Sequence, residues 1–141
     1  SSSSASDVYK RQGSHFAGLM NTIRANKSLW FVTSEVRTPI DVVSLSRALL
    51  ELVDTDSNGV LHVAGTETVD RGVIGRAFLA KLGLPADRAE YLTTQGERTN
   101  RPENISLNVS RASRVLKTAL PDFRTAIDRA FDHAQPDQTK L

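Results

Sequence analysis

Along the chain, apolar residues at helical spacing alternate with short continuous apolar runs. From Ser14 to Asn26, Phe16, Leu19, Met20 and Ile23 fall on one helical face, and Ser14 stands where its side chain can accept from the free first-turn amides. Leu29 to Thr33 reads as a short strand of Trp, Phe and Val. Glu35 to Ile40 reads as extended, in part because Pro39 biases Thr38 away from helical angles. Ser44 can cap a helix with Leu45, Ala48, Leu49, Leu52 and Val53 as its buried stripe. After the turn from Asp54 to Gly59, the compact run Val60 to Ala64 suits a strand. A helix follows from Asp70 to Leu82, with Val73, Ile74, Ala77, Phe78 and Leu82 on one face and Gly83 placed for left-handed angles. Ala86 to Leu92 reads as a turn or two of helix, Thr93 to Glu103 as a polar loop and Ile105 to Leu107 as a strand. Ser110 to Leu116 is a short helix, and Asp122 to His133 carries the cleanest stripe: Phe123, Ala126, Ile127, Ala130 and Phe131. The pattern predicts mixed helices and short strands, with strands too few for a self-contained sheet.

Composition narrows the chemistry. The 141 residues are 39% hydrophobic and 24% charged, without cysteine, so disulfides, thiolate metal sites and thiol nucleophiles are excluded. No apolar run reaches the length of a membrane span, and the expectation is a cytoplasmic protein with no membrane partner. The 18 basic and 16 acidic residues are interleaved, which makes a solvated mixed surface and no nucleic-acid stripe.

Residues 1–12, SSSSASDVYKRQ, have no apolar periodicity and are expected to be disordered. DVYKRQ resembles the translation of a sequencing-library adapter, so this stretch is expected to be foreign and the natural chain to continue upstream. Without Asp7, Lys10 and Arg11 the balance falls from 18 basic and 16 acidic residues to 16 and 15, close to neutral. The expected organisation is then residues 1–12 apart, a binding unit over 13–133, and a polar tail over 134–141.

Among possible sites, Asp54, Asp56, Asn58, Gly59 and Leu61 fit positions 1, 3, 5, 6 and 8 of a calcium-binding EF-hand loop, but the twelfth position is Gly65 and the closing carboxylate is missing. A plain helix-to-strand turn is the expectation. His15, His62 and His133 are dispersed, so no metal site is expected, and His62 reads as a packing residue in its strand. The chain has no GxSxG elbow, no GxGxxG or GxxxxGK phosphate loop, and no tyrosine followed by lysine four residues later. Arg37 and Arg101 remain. Each lies close before a proline, where a stiff backbone can present the planar guanidinium to phosphate oxygens; the alternative for each is a surface salt bridge.

Four segments, HFAGLMNTIRANKSLWFV, EVRTPIDVVSLSRALLEL, GVLHVAG with a helix ending LGLP, and RPENISLNVSRASRVL, together resemble the C-terminal half of extended short-chain dehydrogenase/reductases, in particular the dTDP-4-dehydrorhamnose reductase-like sugar-nucleotide reductases. Ser44 and Ser46 stand where the family tends to have Asp and Ala, Asn104 and Asn108 replace frequent aspartates, and His15 stands where asparagine is common. The resemblance implies an α/β fold: a C-terminal fragment of an extended Rossmann-fold reductase, lacking the N-terminal dinucleotide-binding sheet and leaving apolar surface uncovered. It also implies that NADP(H) and the catalytic Tyr-x-x-x-Lys pair belong to the parent's other half, so that this chain binds no cofactor, has no catalytic residue and is inert alone. What carries over is substrate grip: Arg37 and Arg101 match arginines that contact a nucleotide diphosphate, and His15 with Phe16 matches a segment lining the sugar-nucleotide cleft. A homodimer is possible for the intact protein. The alternatives are a non-catalytic module resembling the regulatory subunit of methionine adenosyltransferase, and a sugar-nucleotide epimerase.

Overall fold

The computed structural model describes residues 15–93, 102–134 and 136–141. Helix α1 (His15–Arg24) buries Leu19, Met20 and Ile23, the stripe expected from spacing. Ser14, its expected cap, lies outside the described residues. The chain then enters β1 (Trp30–Val32), whose Phe31 and Val32 are buried, and β2 (Val36–Arg37). Helix α2 (Val42–Val53) begins two residues before Ser44. Its cap is Asp41, which has extended backbone angles and accepts from the Ser44 N–H, so the expectation of a Ser44 cap is corrected.

The stripe of α2 is also corrected. Ala48 and Ser44 are buried, whereas Leu49, Leu50 and Val53 are exposed, Val53 to 79%. Strand β3 (Val69–Asp70) leads into α3 (Arg71–Lys81), capped by Asp70 through the Val73 N–H. Its buried face is Gly72, Gly75, Phe78 and Leu79, and Val73 turns outward. The glycines shift this face: a Cβ on Gly75 would come within 2.3 Å of the Phe31 ring, so the missing side chain is what lets α3 lie on β1. At the other end Gly83 takes φ +70°, and the Leu84 N–H reaches back to the Leu79 carbonyl at 2.9 Å, closing the helix as expected.

Residues 86–92 are mostly not helical. A single 3-10 turn (Ala86–Arg88) gives way to β4 (Glu90–Leu92), which pairs in parallel with β1, Phe31 opposite Tyr91. A partner strand far away in sequence decided this, and local propensity did not. β2 and β3 form an antiparallel pair, Val36 opposite Asp70.

Val60 to Ala64 has the in-out rhythm of a strand, with Leu61 and Val63 turned towards α2, yet it forms no ladder, and Val60 is 76% exposed. His62 is exposed, not packed. Ile105 to Leu107 is likewise no strand; Asn104 alone bridges to Val36. The turn before Val60 is held by Arg111, which donates to the carbonyls of Asn58 and Val60 and so puts a cation against the calcium-like sequence. Helices α4 (Ser110–Val115) and α5 (Phe123–His133) form where spacing places them; Asp122 caps α5 through the Thr125 N–H. Within the tail, α6 (Pro136–Thr139) is tied back to α1 by Arg24, which donates to the carbonyls of Asp137 and Lys140.

The main core joins α1, β1, α3 and β4 through Met20, Phe31, Phe78 and Leu79. Around it Phe16, Phe78 and Phe131 meet with ring centres 5.0 to 5.2 Å apart. A second, smaller core joins α2 and α4 through Ala48, Ala112 and Leu116.

Candidate functional site

Residues i and i+2 of a strand share a face, so Glu35 and Arg37 project together. Glu35 is 2% exposed, and its Oε2 accepts from Arg37 Nη2 and from Arg71 Nη1, each at 3.0 Å. A buried carboxylate between two guanidiniums offsets its desolvation through short charge-assisted bonds. The backbone adds to the junction, since the Arg71 N–H donates to the Glu35 carbonyl at 2.9 Å.

Arg37 Nη1 also donates to the carbonyls of Val36 at 2.8 Å, Glu103 at 3.1 Å and Pro102 at 3.4 Å. The 103–107 segment is zipped alongside: Val36 N–H to the Glu103 carbonyl, Ile105 N–H to the Val36 carbonyl, and Leu107 N–H to Thr38 Oγ1. Arg101 lies outside the described residues. Pro102, the described residue that follows it in the chain, accepts from Arg37 through its carbonyl. The guanidinium of Arg37 is fixed by these bonds, and 21% of its side chain stays accessible.

His15 and Phe16, at the start of α1, line an apolar cavity of about 120 Å³ that is closed on other sides by Ile40, Asp41 and α5. Burial first, and the Arg71 cation second, lower the pKa of His15 and favour the neutral imidazole. Arg71 therefore links His15 electrostatically to the Glu35 junction. Phe16 has a packing role as well, edge-on to Phe78 and Phe131. Sequence reasoning missed Glu35, Arg71 and Asp41. The period-2 relation of Glu35 to Arg37 was the available signal for the first; Arg71 comes close only through the pairing of β2 with β3.

Among the described residues no group of histidine, aspartate or glutamate side chains could hold a metal ion, and no helix is long and apolar enough to cross a membrane.

The RmlD substrate binding domain family model matches residues 5–135. No curated protein matches the chain. Among solved structures, dTDP-4-dehydrorhamnose reductase of Bacillus anthracis, in complex with NADP, superposes with a TM-score of 0.71 at 16% identity; the match covers 89% of this chain and 45% of that one. UDP-glucuronic acid 4-epimerase of Bacillus cereus, in complex with UDP-glucuronic acid and NAD, gives 0.63 at 16% identity, over 86% of this chain and 39% of that one. The chain thus spans less than half the length of either, and the likeness identifies its fold as part of a Rossmann-like reductase architecture. With the family model matched over nearly its whole length, the chain belongs to the RmlD substrate binding domain family, the substrate-binding domain of dTDP-4-dehydrorhamnose reductase-like proteins.

Proposed function

We propose that the chain is the sugar-nucleotide-gripping part of an NADP-dependent reductase acting on a dTDP-4-keto-6-deoxysugar, inert by itself. The observation that supports this most is the junction at Arg37. A guanidinium held in plane by Glu35 and by the carbonyls of residues 36, 102 and 103 is pre-organised for the oxygens of a diphosphate. Arg101, one residue from Pro102, is the second cation of this grip, and His15 with Phe16 lines the sugar end.

The glycines of α3 make no phosphate cradle, because the space a Cβ would take is filled by Phe31 at Gly75 and by Asp70 and Thr33 at Gly72. The grip on the substrate is what these residues supply, and hydride chemistry belongs to the parent's other half.

Titrating the chain with NADPH by fluorescence should give no binding. In an intact parent, Arg37→Ala should raise KM for the nucleotide sugar with a smaller change in kcat; an unchanged KM refutes the diphosphate role. The likeness to the epimerase favours a second reading, epimerisation of a sugar nucleotide, and turnover assays on the intact protein separate the two. An upstream Tyr-x-x-x-Lys would favour either enzyme over a non-catalytic regulatory module.

A further inference from the structure

Arg71, the first residue of α3, is brought to the junction by the pairing of β2 with β3 and is fixed there twice. Its N–H donates to the Glu35 carbonyl at 2.9 Å, and its Nη1 donates to Glu35 Oε2 at 3.0 Å, the oxygen that Arg37 Nη2 also touches at 3.0 Å. Two donors on one oxygen lie at most twice that distance apart, so the guanidiniums of Arg37 and Arg71 are neighbours. Like charges at such separation repel, and the Glu35 carboxylate carries one charge against their two.

Arg71 keeps bonding capacity that the fold does not use. Among the described residues its Nε and Nη2 have no hydrogen-bond partner, and 22% of the side chain is accessible. Its neighbour Asp70 does not balance it: that carboxylate caps α3 through the Val73 N–H, and none of the ion pairs among the described residues joins Asp70 to Arg71. Arg71 also acts on His15, whose pKa is lowered by burial first and by the Arg71 cation second. It therefore stands on the His15 side of the junction, between that histidine and Arg37.

We propose that Arg71 is a substrate-binding residue: the unused edge of its guanidinium takes the phosphoryl group next to the sugar, while Arg37 takes the adjoining phosphoryl group. The two phosphoryl groups of a diphosphate share one bridging oxygen, and a pair of neighbouring guanidiniums can hold both where a lone phosphate engages one. The bound diphosphate supplies the negative charge that one carboxylate cannot. This inference rests on the reading of Arg37 as the diphosphate end of the site and of His15 with Phe16 as the sugar end.

The test titrates the 141-residue chain with inorganic pyrophosphate and with orthophosphate, followed by carbon-detected NMR of the arginine Nε and Cζ resonances. Pyrophosphate should move the resonances of both Arg37 and Arg71 and leave in place those of Arg24, whose guanidinium is bonded to carbonyls of the tail. Arg71→Ala should weaken pyrophosphate roughly tenfold while changing orthophosphate much less, and Arg71→Lys, which keeps a cation beside Glu35, should weaken pyrophosphate by a smaller factor. If Arg71→Ala fails to fold, the resonances of the unaltered chain and the Arg71→Lys comparison carry the test. Movement at Arg37 with none at Arg71, or pyrophosphate affinity unchanged by the substitutions, overturns the role of Arg71 and leaves the reading of Arg37 standing. Movement at neither arginine at tens of millimolar pyrophosphate overturns both. Movement at Arg24 as large as at Arg71 means an adventitious ion only and overturns the role of Arg71.

Discussion

The two cores differ in what their hydrophobic residues find to pack against. Around β1, residues from α1, α3 and β4 close over Phe31 from several sides, and Met20, Phe31 and Leu79 are essentially inaccessible. Around α2, the buried hydrophobic residues of the core are two alanines and Leu116; Leu52, Leu61, Val63 and Leu120 are half-covered, and Leu49, Leu50 and Val53 face solvent. Both regions are rich in leucine and valine. Hydrophobicity sets what a residue would gain by burial, and the presence of a second surface within reach decides whether it is buried.

The largest effect should come from Phe31→Ala, which empties the centre of the first core and should cost about 3–5 kcal/mol, read as the loss in denaturant unfolding free energy. If it costs no more than a surface substitution, the contrast between the cores fails. Gly75→Ala sharpens the same point from the other side. Helix propensity alone would favour alanine by about 1 kcal/mol, but the added methyl meets the buried ring of Phe31, and overpacking of roughly 1–3 kcal/mol or more should win, lowering Tm.

In the second core, Glu51 of α2 accepts from the N–H groups of Lys117 and Thr118 and from the Thr118 hydroxyl. These bonds hold its pKa below the ordinary carboxylate value, the hydroxyl contributing most. A lowered folded-state pKa means the stabilisation is full above the ordinary range and is lost as pH falls through it and below. Glu51→Gln should therefore lower stability near neutrality and flatten the acid limb, the two proteins converging at low pH where Glu51 is protonated. Leu50→Lys should move stability least, within about 0.5 kcal/mol, because nothing covers Leu50. A large loss would mean that the outer face of α2 is packed.

The same contrast explains what the sequence could say. The stripes of α1 and α5 and the left-handed Gly83 were legible because their causes lie within a few residues. The outer face of α2 and the segment 60–64 read as buried and β-paired, since a hydrophobic pattern records what a segment would do with a partner and says nothing of whether one is there. β4 was missed for the converse reason, because its partner β1 lies some sixty residues earlier. At the candidate site, Arg37 could be singled out from its place before Pro39. Glu35 had only its period-2 relation to Arg37 as a signal, and Arg71 had none, since its approach depends on a strand register that no local spacing encodes.

The Glu35 junction is also a loop closure. It joins Glu35 to Arg71 across 36 residues and Arg37 to Glu103 across 66, and chain entropy must be lost before such contacts return anything. Closing it costs more chain entropy than forming a turn of helix, so the junction is expected to open more readily than the packed helices. The amides of the 102–107 segment, docked on β2 by a few hydrogen bonds, should then exchange faster than those of the buried helices. A diphosphate bridging Arg37 and this segment would bind only the closed form, so occupancy would register as slower hydrogen exchange at the amides of Val36 and Ile105.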